Sequence, residues 1–235
     1  MEAKMKHQDY IYLKEDYYNN PKETFRFILN LIKTFYKKKI DSILDLGCAR
    51  GEWLYFIKKK TNIKNLVGVD YSPNLINYAK KKLSQYNIKF YVGSAERIKV
   101  KKKFDIVVAS GLVGYFSSTN KFIKNSLIHL KNNGILIILD SFNAYDVDVI
   151  LKYRNNKFSK KFEKGWNLHS IKTIKYIINE CNSRLIKVKK FNLSYNLKRT
   201  ADPCRSWHTK IKKREILTNG LSQIYDIRAL VIKKN

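Results

Sequence analysis

The sequence predicts an α/β fold in which helices cover both faces of a mostly parallel, seven-stranded sheet with an antiparallel last strand. Apolar runs of strand length alternate along the chain with segments whose apolar residues recur at helical spacing. The first of these runs leads through a glycine-containing turn into a helix, over residues 43–57. By the crossover rule, the repeated strand, helix, strand order predicts a doubly wound parallel sheet.

Length and composition fit a single domain, which we place at residues 1–235. The chain is 44% hydrophobic and long enough to bury a full core. We divide it into an N-terminal flap and helix at 1–40, a ligand-binding core at 41–140, and further elements with the last two strands at 141–235. No apolar run approaches the length of a membrane span, and the first residues lack a hydrophobic signal region. We therefore expect a cytoplasmic protein.

Net charge and cysteine content limit the classes of partner. The formal net charge of +29 favours a nucleic-acid partner. The lysines are scattered through predicted helix ends and loops, however, and a solvated surface with a codon bias explains them better. The three cysteines lie far apart in the sequence, which predicts reduced thiols and neither a disulfide framework nor a metal site.

The N-terminal part combines a tyrosine-rich stretch with a helix. Residues 1–20 show no clear period, and we interpret them as a flap. Asn-Pro-Lys-Glu at 20–23 then predicts an N-cap, a proline at the first helical position and a capping-box glutamate. The apolar residues that follow fall on one helical face, which we expect to pack on the sheet just before the first strand.

The turn at residues 45–51, Asp-Leu-Gly-Cys-Ala-Arg-Gly, follows a predicted buried strand and opens a helix. Gly47 and Gly51 permit backbone dihedrals closed to other residues and let a ligand approach the backbone. Alanine at position 49 breaks the G-x-G-x-x-G pattern of dinucleotide-binding turns, and no Lys-Ser/Thr pair follows Gly51 to make a P-loop. The turn is therefore typical of a nucleoside-binding site.

Residues 45–51 resemble the first motif of class I S-adenosylmethionine-dependent methyltransferases, whose usual form is acid-x-Gly-x-Gly-x-Gly. Alanine replaces the central glycine, a change that narrows the loop by one methyl group. The resemblance covers residues 41–140 well and implies a Rossmann-like methyltransferase fold of the small-molecule type, with S-adenosylmethionine as cofactor. In this motif it implies cofactor contacts at Asp45, Gly47, Cys48, Ala49 and Gly51.

Four further signals match the family in order. Asp70 ends the second predicted strand at about the distance expected of a ribose-binding carboxylate. Gly-Ser-Ala-Glu at 93–96 stands where the family binds adenine, although a plain turn explains Gly-Ser equally well. A Phe-Asp start of the strand at 104–110 and a Leu-x-x-x-Gly turn at 130–134 complete the set. The implied contacts are Asp70, Tyr71, Ser94, Ala95, Glu96, Ser110 and Tyr115.

The C-terminal part matches the family only loosely. The polar connection at 141–169 is predicted to contain a partial helix at 147–153. Ser170 then caps a helix, and the last two strands are predicted at 185–191 and 225–232.

The long connection between the last two strands is dense in functional side chains. We predict that Arg199 and Arg205 bind a phosphate or carboxylate beside a flat wall formed by Trp207, although surface ion pairs explain the arginines almost as well. A hydroxyl acceptor needs a general base, whereas a carboxylate, a phosphate oxygen or a neutral amine does not. His208 is the first candidate for this base, and Asp140 is the second.

The sequence favours a methyltransferase that acts on an anionic or sugar-like small molecule. Tyr17 and Tyr18 are candidates for contacts near the methionine end of the cofactor, although a position as surface aromatics beside the core explains them about as well. The form of residues 47–54 resembles enzymes that modify bacterial surface-polysaccharide precursors. An RNA methyltransferase is an alternative that the charge favours, but Ser110 and Gly111 stand where ribose 2′-O enzymes carry a catalytic aspartate. A non-catalytic cofactor-binding partner protein is the other alternative, and the intact acids and glycines of the motifs argue against it.

Overall fold

The structure of the chain is a computed structural model. This structure describes residues 12–13, 16–98, 100–156, 160–200, 202 and 204–235. Most of the predicted flap, residues 1–11 and 14–15, lies outside this part of the chain.

The strands and helices alternate as the sequence predicted. In chain order the strands are β1 (Ser42–Leu46), β2 (Asn65–Asp70), β3 (Ile88–Val92), β4 (Phe104–Ser110), β5 (Leu130–Asn143), β6 (Lys152–Tyr153), β7 (Glu163–Lys164), β8 (His169–Ser170), β9 (Ser183–Lys190), β10 (Trp207–Ile211), β11 (Arg214–Thr218) and β12 (Ile227–Lys234). The helices are α1 (Glu23–Phe35), α2 (Glu52–Lys60), α3 (Pro73–Lys82), α4 (Asn120–Ile128) and α5 (Ile171–Glu180).

The main sheet has the strand order β3-β2-β1-β4-β5-β12-β9. The pairs among its first five strands are all parallel. Strand β12 runs antiparallel to both β5 and β9. The predicted sheet, mostly parallel with an antiparallel last strand, is confirmed. One short addition is β8, which pairs in parallel with the end of β5.

Two apolar cores lie on opposite faces of this sheet. Successive strand residues alternate between them, so that Ile43 packs in one core and Leu44 in the other. Helices α1, α2 and α3 contribute to the first core, and α4 and α5 contribute to the second. The central strands are covered on both faces, which explains why their sequences are almost continuously apolar.

Helix α1 begins later than the sequence signal indicated. Its first residue is Glu23 and its N-cap is Lys22, two residues beyond the positions that Asn20 and Pro21 predicted. The predicted capping-box glutamate does not cap the helix. Instead, the Glu23 carboxylate accepts hydrogen bonds from the backbone N–H of Ser194, at 3.0 Å, and from its hydroxyl. A contact 171 residues away along the chain thus replaces the local one.

The described residues of the connection between β5 and β8 form no helix, so the partial helix predicted at 147–153 is wrong. Val149 pairs with Leu168 in an antiparallel bridge, and β6 pairs with β7. Asn167 is only 2% exposed, and its side-chain amide donates to the Phe116 carbonyl at 2.8 Å. These long-range bonds hold the connection beside the turn that follows β4.

The described residues contain no helix that is long and apolar enough to cross a bilayer. Within the same part of the chain, no group of three or more histidine, cysteine, aspartate or glutamate side chains is arranged to hold a metal ion. Cys48, Cys181 and Cys204 are free thiols.

Candidate functional site

A cavity of about 590 Å³ lies at the carboxyl ends of β1, β2, β3 and β4. Ligands of open parallel sheets bind at this edge, next to the point where the strand order reverses. We call it the first cavity. Its lining includes all but one of the predicted cofactor residues, namely Asp45, Gly47, Cys48, Ala49, Asp70, Tyr71, Ser94, Ala95, Glu96, Ser110 and Tyr115.

The turn after β1 has the left-handed backbone that its glycines predicted. The φ angles of Gly47 and Gly51 are +76° and +78°, and Ala49 also has a positive φ of 46°. The left-handed region costs a residue with a Cβ about 1–2 kcal/mol, so Ala49 keeps the backbone shape expected of a glycine at some cost in stability. The N–H groups of Gly47 and Cys48 both donate to the Val69 carbonyl, which ties the turn to β2.

Gly51 is the predicted cofactor residue that does not line the first cavity. It is the N-cap of α2, and a Cβ built on it would lie 2.6 Å from the ring of Phe90. The absence of a side chain at Gly51 therefore permits the close packing of α2 against β3. Its predicted role as a direct cofactor contact has no support in this geometry.

Asp70 is held in a defined position on the wall of the first cavity. Its carboxylate accepts hydrogen bonds from the backbone N–H groups of Ala49 and Ser72, both at 2.9 Å. A carboxylate offers about four acceptor sites and can accept several hydrogen bonds at once, which is the chemistry that ligand hydroxyl groups require. The structure thus fixes this carboxylate beside the turn after β1, as a ribose-binding role requires.

Asp45 adds a second carboxyl group to the first cavity, and this residue is only 5% exposed. Burial, with smaller contributions from Asp70 and Glu52, raises the pKa of Asp45 to about 8. This acidic surrounding suits a cationic ligand, because a positive charge would restore the ionised form. Among the described lining residues, the acids Asp45, Glu52, Asp70 and Glu96 outnumber the bases Lys22 and Arg97.

A buried ion pair lies at the turn after β1, and its arginine also bonds to the N-terminal segment. Arg50 donates from Nη2 and Nε to Glu52 Oε1 at 2.6 and 2.9 Å, and the two side chains are 3% and 7% exposed. The Arg50 Nη1 atom also donates to the Leu13 carbonyl at 3.2 Å. The Tyr18 hydroxyl donates to the Arg50 carbonyl at 2.5 Å, and Tyr18 does not line the cavity. Tyr17, the other candidate of this segment, does line it.

A second cavity, of about 660 Å³, adjoins the first. Among the residues that the structure describes, those that line both cavities are Tyr12, Thr24, Ser110, Gly111 and Tyr115. The remaining walls come from the end of β5, the connection between β5 and β8, and the segments before β10 and β12. Ligands bound in the two cavities would therefore be direct neighbours.

Aromatic side chains form much of the second cavity. The rings of Tyr115 and Trp166 pack with their centroids 5.0 Å apart. Burial raises the pKa of Tyr115, Tyr153 and Tyr225, so these phenols stay neutral at physiological pH. Sequence reasoning missed Tyr153, Trp166 and Tyr225, because they belong to no motif. The available signal was the presence of large aromatic residues in otherwise polar connections.

Asp140, near the end of β5, lines the second cavity. Its Oδ2 accepts from the Val113 N–H at 2.7 Å, and its Oδ1 accepts from the Ser141 N–H at 2.8 Å. Burial raises the pKa of the Asp140 carboxyl, and these backbone donors oppose the rise in part. A held carboxylate with a raised pKa, placed at a ligand cavity, suits a proton acceptor.

The other residues predicted on the acceptor side lie in and just before the hairpin β10-β11, and they do not share one site. Arg205, just before the hairpin, lines the second cavity, whereas Arg199, Trp207 and His208 do not. The Arg199 guanidinium instead lies over the Trp207 ring, 5.0 Å from its centroid. His208 Nδ1 accepts from the Leu197 N–H at 2.8 Å, which ties the imidazole to the backbone of the preceding segment. These positions do not support His208 as the base.

Comparison with known proteins connects this geometry to a family. The family model described as a methyltransferase domain matches residues 37–210. The chain is 26% identical over 110 residues to malonyl-[acyl-carrier protein] O-methyltransferase of Priestia megaterium, covering 47% of this chain and 40% of that protein. It is 34% identical over 117 residues to ubiquinone biosynthesis O-methyltransferase of Pelagibacter ubique, covering 46% of this chain and 48% of that protein. The chain thus spans less than half the length of these curated relatives.

The fold has a close counterpart among solved structures. The crystal structure of an S-adenosylmethionine-dependent methyltransferase from Clostridium acetobutylicum covers 97% of this chain and 96% of its own, with a TM-score of 0.63 and 15% identity. At this identity the likeness shows the fold alone. Membership of a family is shown instead by the family model, which matches most of the chain. The chain belongs to the class I S-adenosylmethionine-dependent methyltransferases.

Proposed function

We propose that the protein transfers the methyl group of S-adenosylmethionine to a small molecule held in the second cavity. The observation that supports this proposal is the wall that the two cavities share, since an acceptor bound in the second cavity would lie directly beside a cofactor bound in the first. When bound, S-adenosylmethionine supplies an electrophilic methyl group attached to positively charged sulfur. Because methyl transfer is an in-line displacement, alignment of the two ligands can contribute about 7–11 kcal/mol to catalysis.

The residues of the first cavity suit this cofactor. Asp70 would accept hydrogen bonds from the ribose hydroxyls, and residues 94–96 would flank the adenine. The acids among the described residues of the lining complement the positive charges of the ammonium and sulfonium groups. Ser110 and Tyr115 belong to the wall shared with the second cavity, so we assign them to the side of the reacting methyl group.

The acceptor predicted from the sequence is anionic or sugar-like, with a surface-polysaccharide precursor as one source. The polar side chains of the second cavity support a sugar-like acceptor. Of the two arginines predicted to bind an anionic acceptor, Arg205 lines the second cavity and Arg199 does not, so the support for an anionic acceptor is weaker. The substrates named for the two curated relatives differ from each other and so favour no single acceptor. The net charge of +29 supports RNA as a second candidate, although the carboxylates of the second cavity would repel a polyanion.

Calorimetric titration with S-adenosylmethionine and with its demethylated product tests the cofactor assignment. We expect both to bind, and Asp70→Ala to weaken binding by about 1.5–3 kcal/mol, because the change removes a charged acceptor of ribose hydrogen bonds. Asp146→Ala is the matched control, since this exposed carboxylate pairs with Lys172 at 2.6 Å, away from both cavities. Tight binding of NAD without binding of S-adenosylmethionine would refute the proposal.

Cofactor affinity is expected to rise with pH. Asp45, with a pKa of about 8, is largely protonated in the free protein at neutral pH, and a cationic cofactor favours its ionised form. Binding therefore releases a proton, and the logarithm of the association constant should rise by up to about one per pH unit between roughly pH 6 and 7.5. In the absence of cofactor, the same shift lowers the free energy of unfolding as the pH rises from 3.8 to about 8.

The Asp45→Asn variant provides the control for this pH effect. It removes the titrating group, so its cofactor affinity should vary little with pH over the same range. Calorimetry in buffers of different ionisation enthalpy measures the released proton directly. If wild-type affinity does not change with pH, Asp45 does not titrate with cofactor binding.

A further inference from the structure

Acids outnumber bases among the described residues that line the second cavity, whereas bases outnumber acids in the whole chain. The whole chain has 48 lysines and arginines against 19 aspartates and glutamates. Among the described residues of the lining, the carboxylates of Asp140, Glu163 and Asp202 accompany one guanidinium, that of Arg205. A lining with the average composition of this chain would contain more bases than acids. The reversal favours a ligand that carries positive charge.

The aromatic residues of the second cavity point to the same kind of ligand. Its walls include the rings of Tyr12, Tyr115, Tyr153, Trp166 and Tyr225. The faces of such rings attract cations through their quadrupoles. Burial raises the pKa of Tyr115, Tyr153 and Tyr225, so these three phenols stay neutral and keep their hydroxyl groups as hydrogen-bond donors. Rings combined with carboxylates suit an ammonium group on a partly apolar molecule.

The volume and the position of the cavity add two constraints. At about 660 Å³ the cavity falls in the range of small-molecule sites, which is about 300–1,000 Å³. Asp140 contributes a carboxylate at the end of β5, and Ser110 and Tyr115 connect this region to the first cavity. A group bound near Asp140 thus lies on the side of the cavity lined by the strand ends.

On the basis of the proposed methyltransferase function, we infer that the acceptor is a primary or secondary amine that enters the second cavity as an ammonium ion. The ammonium gives one proton to the Asp140 carboxylate, which leaves a nitrogen lone pair. That lone pair forms the new N–C bond to the methyl group as the C–S bond breaks, and the electron pair of the broken bond stays on sulfur. The positive charge passes from sulfur to the methylated nitrogen.

Three probes that share a phenyl ring and differ in charge test this inference. Phenethylamine, 2-phenylethanol and phenylacetate are titrated by calorimetry into the protein saturated with demethylated cofactor. We expect phenethylamine to bind at least about 10-fold more tightly than either of the other two probes. One or two cation–π contacts of its ammonium group, together with an ion pair to a carboxylate, would produce such a difference. In parallel, mass spectrometry of a panel of amines, alcohols and carboxylates incubated with S-adenosylmethionine should show methylation of amines.

Variants of the lining test whether the preference for phenethylamine arises in the second cavity. Asp202→Asn combined with Glu163→Gln should remove most of the preference for phenethylamine and leave 2-phenylethanol binding nearly unchanged. Asp146→Asn, an equivalent change outside both cavities, should keep the wild-type preference. If the double variant does not fold, as judged by circular dichroism, the comparison of the three probes on the wild-type protein decides the question.

The outcomes separate this inference from the proposed function. If the demethylated cofactor binds but the three probes bind equally, or none binds, or phenylacetate or 2-phenylethanol is preferred, the amine inference is overturned and the proposed function stands. Methylation of only alcohols or carboxylates in the panel overturns it in the same way. If the cofactor itself does not bind, the proposed function fails.

Discussion

Replacing Arg50 with methionine is expected to lower the free energy of unfolding by about 3–5 kcal/mol. The guanidinium is 3% exposed and donates two hydrogen bonds to the Glu52 carboxylate, which is 7% exposed. Methionine fills much of the same volume but leaves this buried carboxylate without its counter-charge. The change also removes the hydrogen bond to the Leu13 carbonyl, which holds the N-terminal segment against the turn after β1. Chemical denaturation at pH 7 measures the loss.

Two further variants show whether the buried charge is the cause. Arg50→Met combined with Glu52→Gln removes both charges and should recover a large part of the lost stability, because buried ion pairs are often neutral relative to uncharged replacements. Lys172→Met breaks an exposed ion pair with Asp146 and should cost less than about 1 kcal/mol. If Arg50→Met costs no more than Lys172→Met, the pair does not hold the turn in place.

Replacing Asp140 with asparagine is expected to reduce turnover by about 100- to 10,000-fold, the usual range for the loss of a general base. Asparagine has nearly the same shape, but its amide cannot take a proton from the acceptor. Cofactor affinity should change little, because Asp140 does not line the first cavity. Formation of demethylated cofactor is measured with an acceptor found in the amine panel, under saturating concentrations of both substrates.

The position of the base is tested by a comparison within the same assay. Asp146→Asn changes an exposed carboxylate away from both cavities and should leave turnover at the wild-type level. His208→Ala tests the hairpin imidazole, whose Nδ1 is bonded to the Leu197 N–H. A loss of turnover in His208→Ala as large as that in Asp140→Asn would return the role of base to the hairpin.

Much of the fold and of the first cavity was predictable because it depends on short stretches of sequence. Apolar periodicity identified the strands and helices of the sheet, and glycines marked the left-handed turn at residues 45–51. Asp70 was predictable because the length of one strand-helix-strand unit places it beside that turn, where it accepts from the Ala49 N–H. Predictions failed where a distant partner decided the outcome, as with Glu23, which bonds Ser194 instead of capping its own helix.

The sequence by itself determined the fold class, the family and the residues around the first cavity, because local backbone preferences and the order of elements control these features. Only the tertiary structure decided the composition of the second cavity. Its walls bring together residues as distant in the chain as Tyr12, Tyr153 and Tyr225. Long-range bonds such as that from Asn167 to the Phe116 carbonyl set their positions. No periodicity or motif encodes such contacts, since they depend on how separate segments pack at one edge of the sheet.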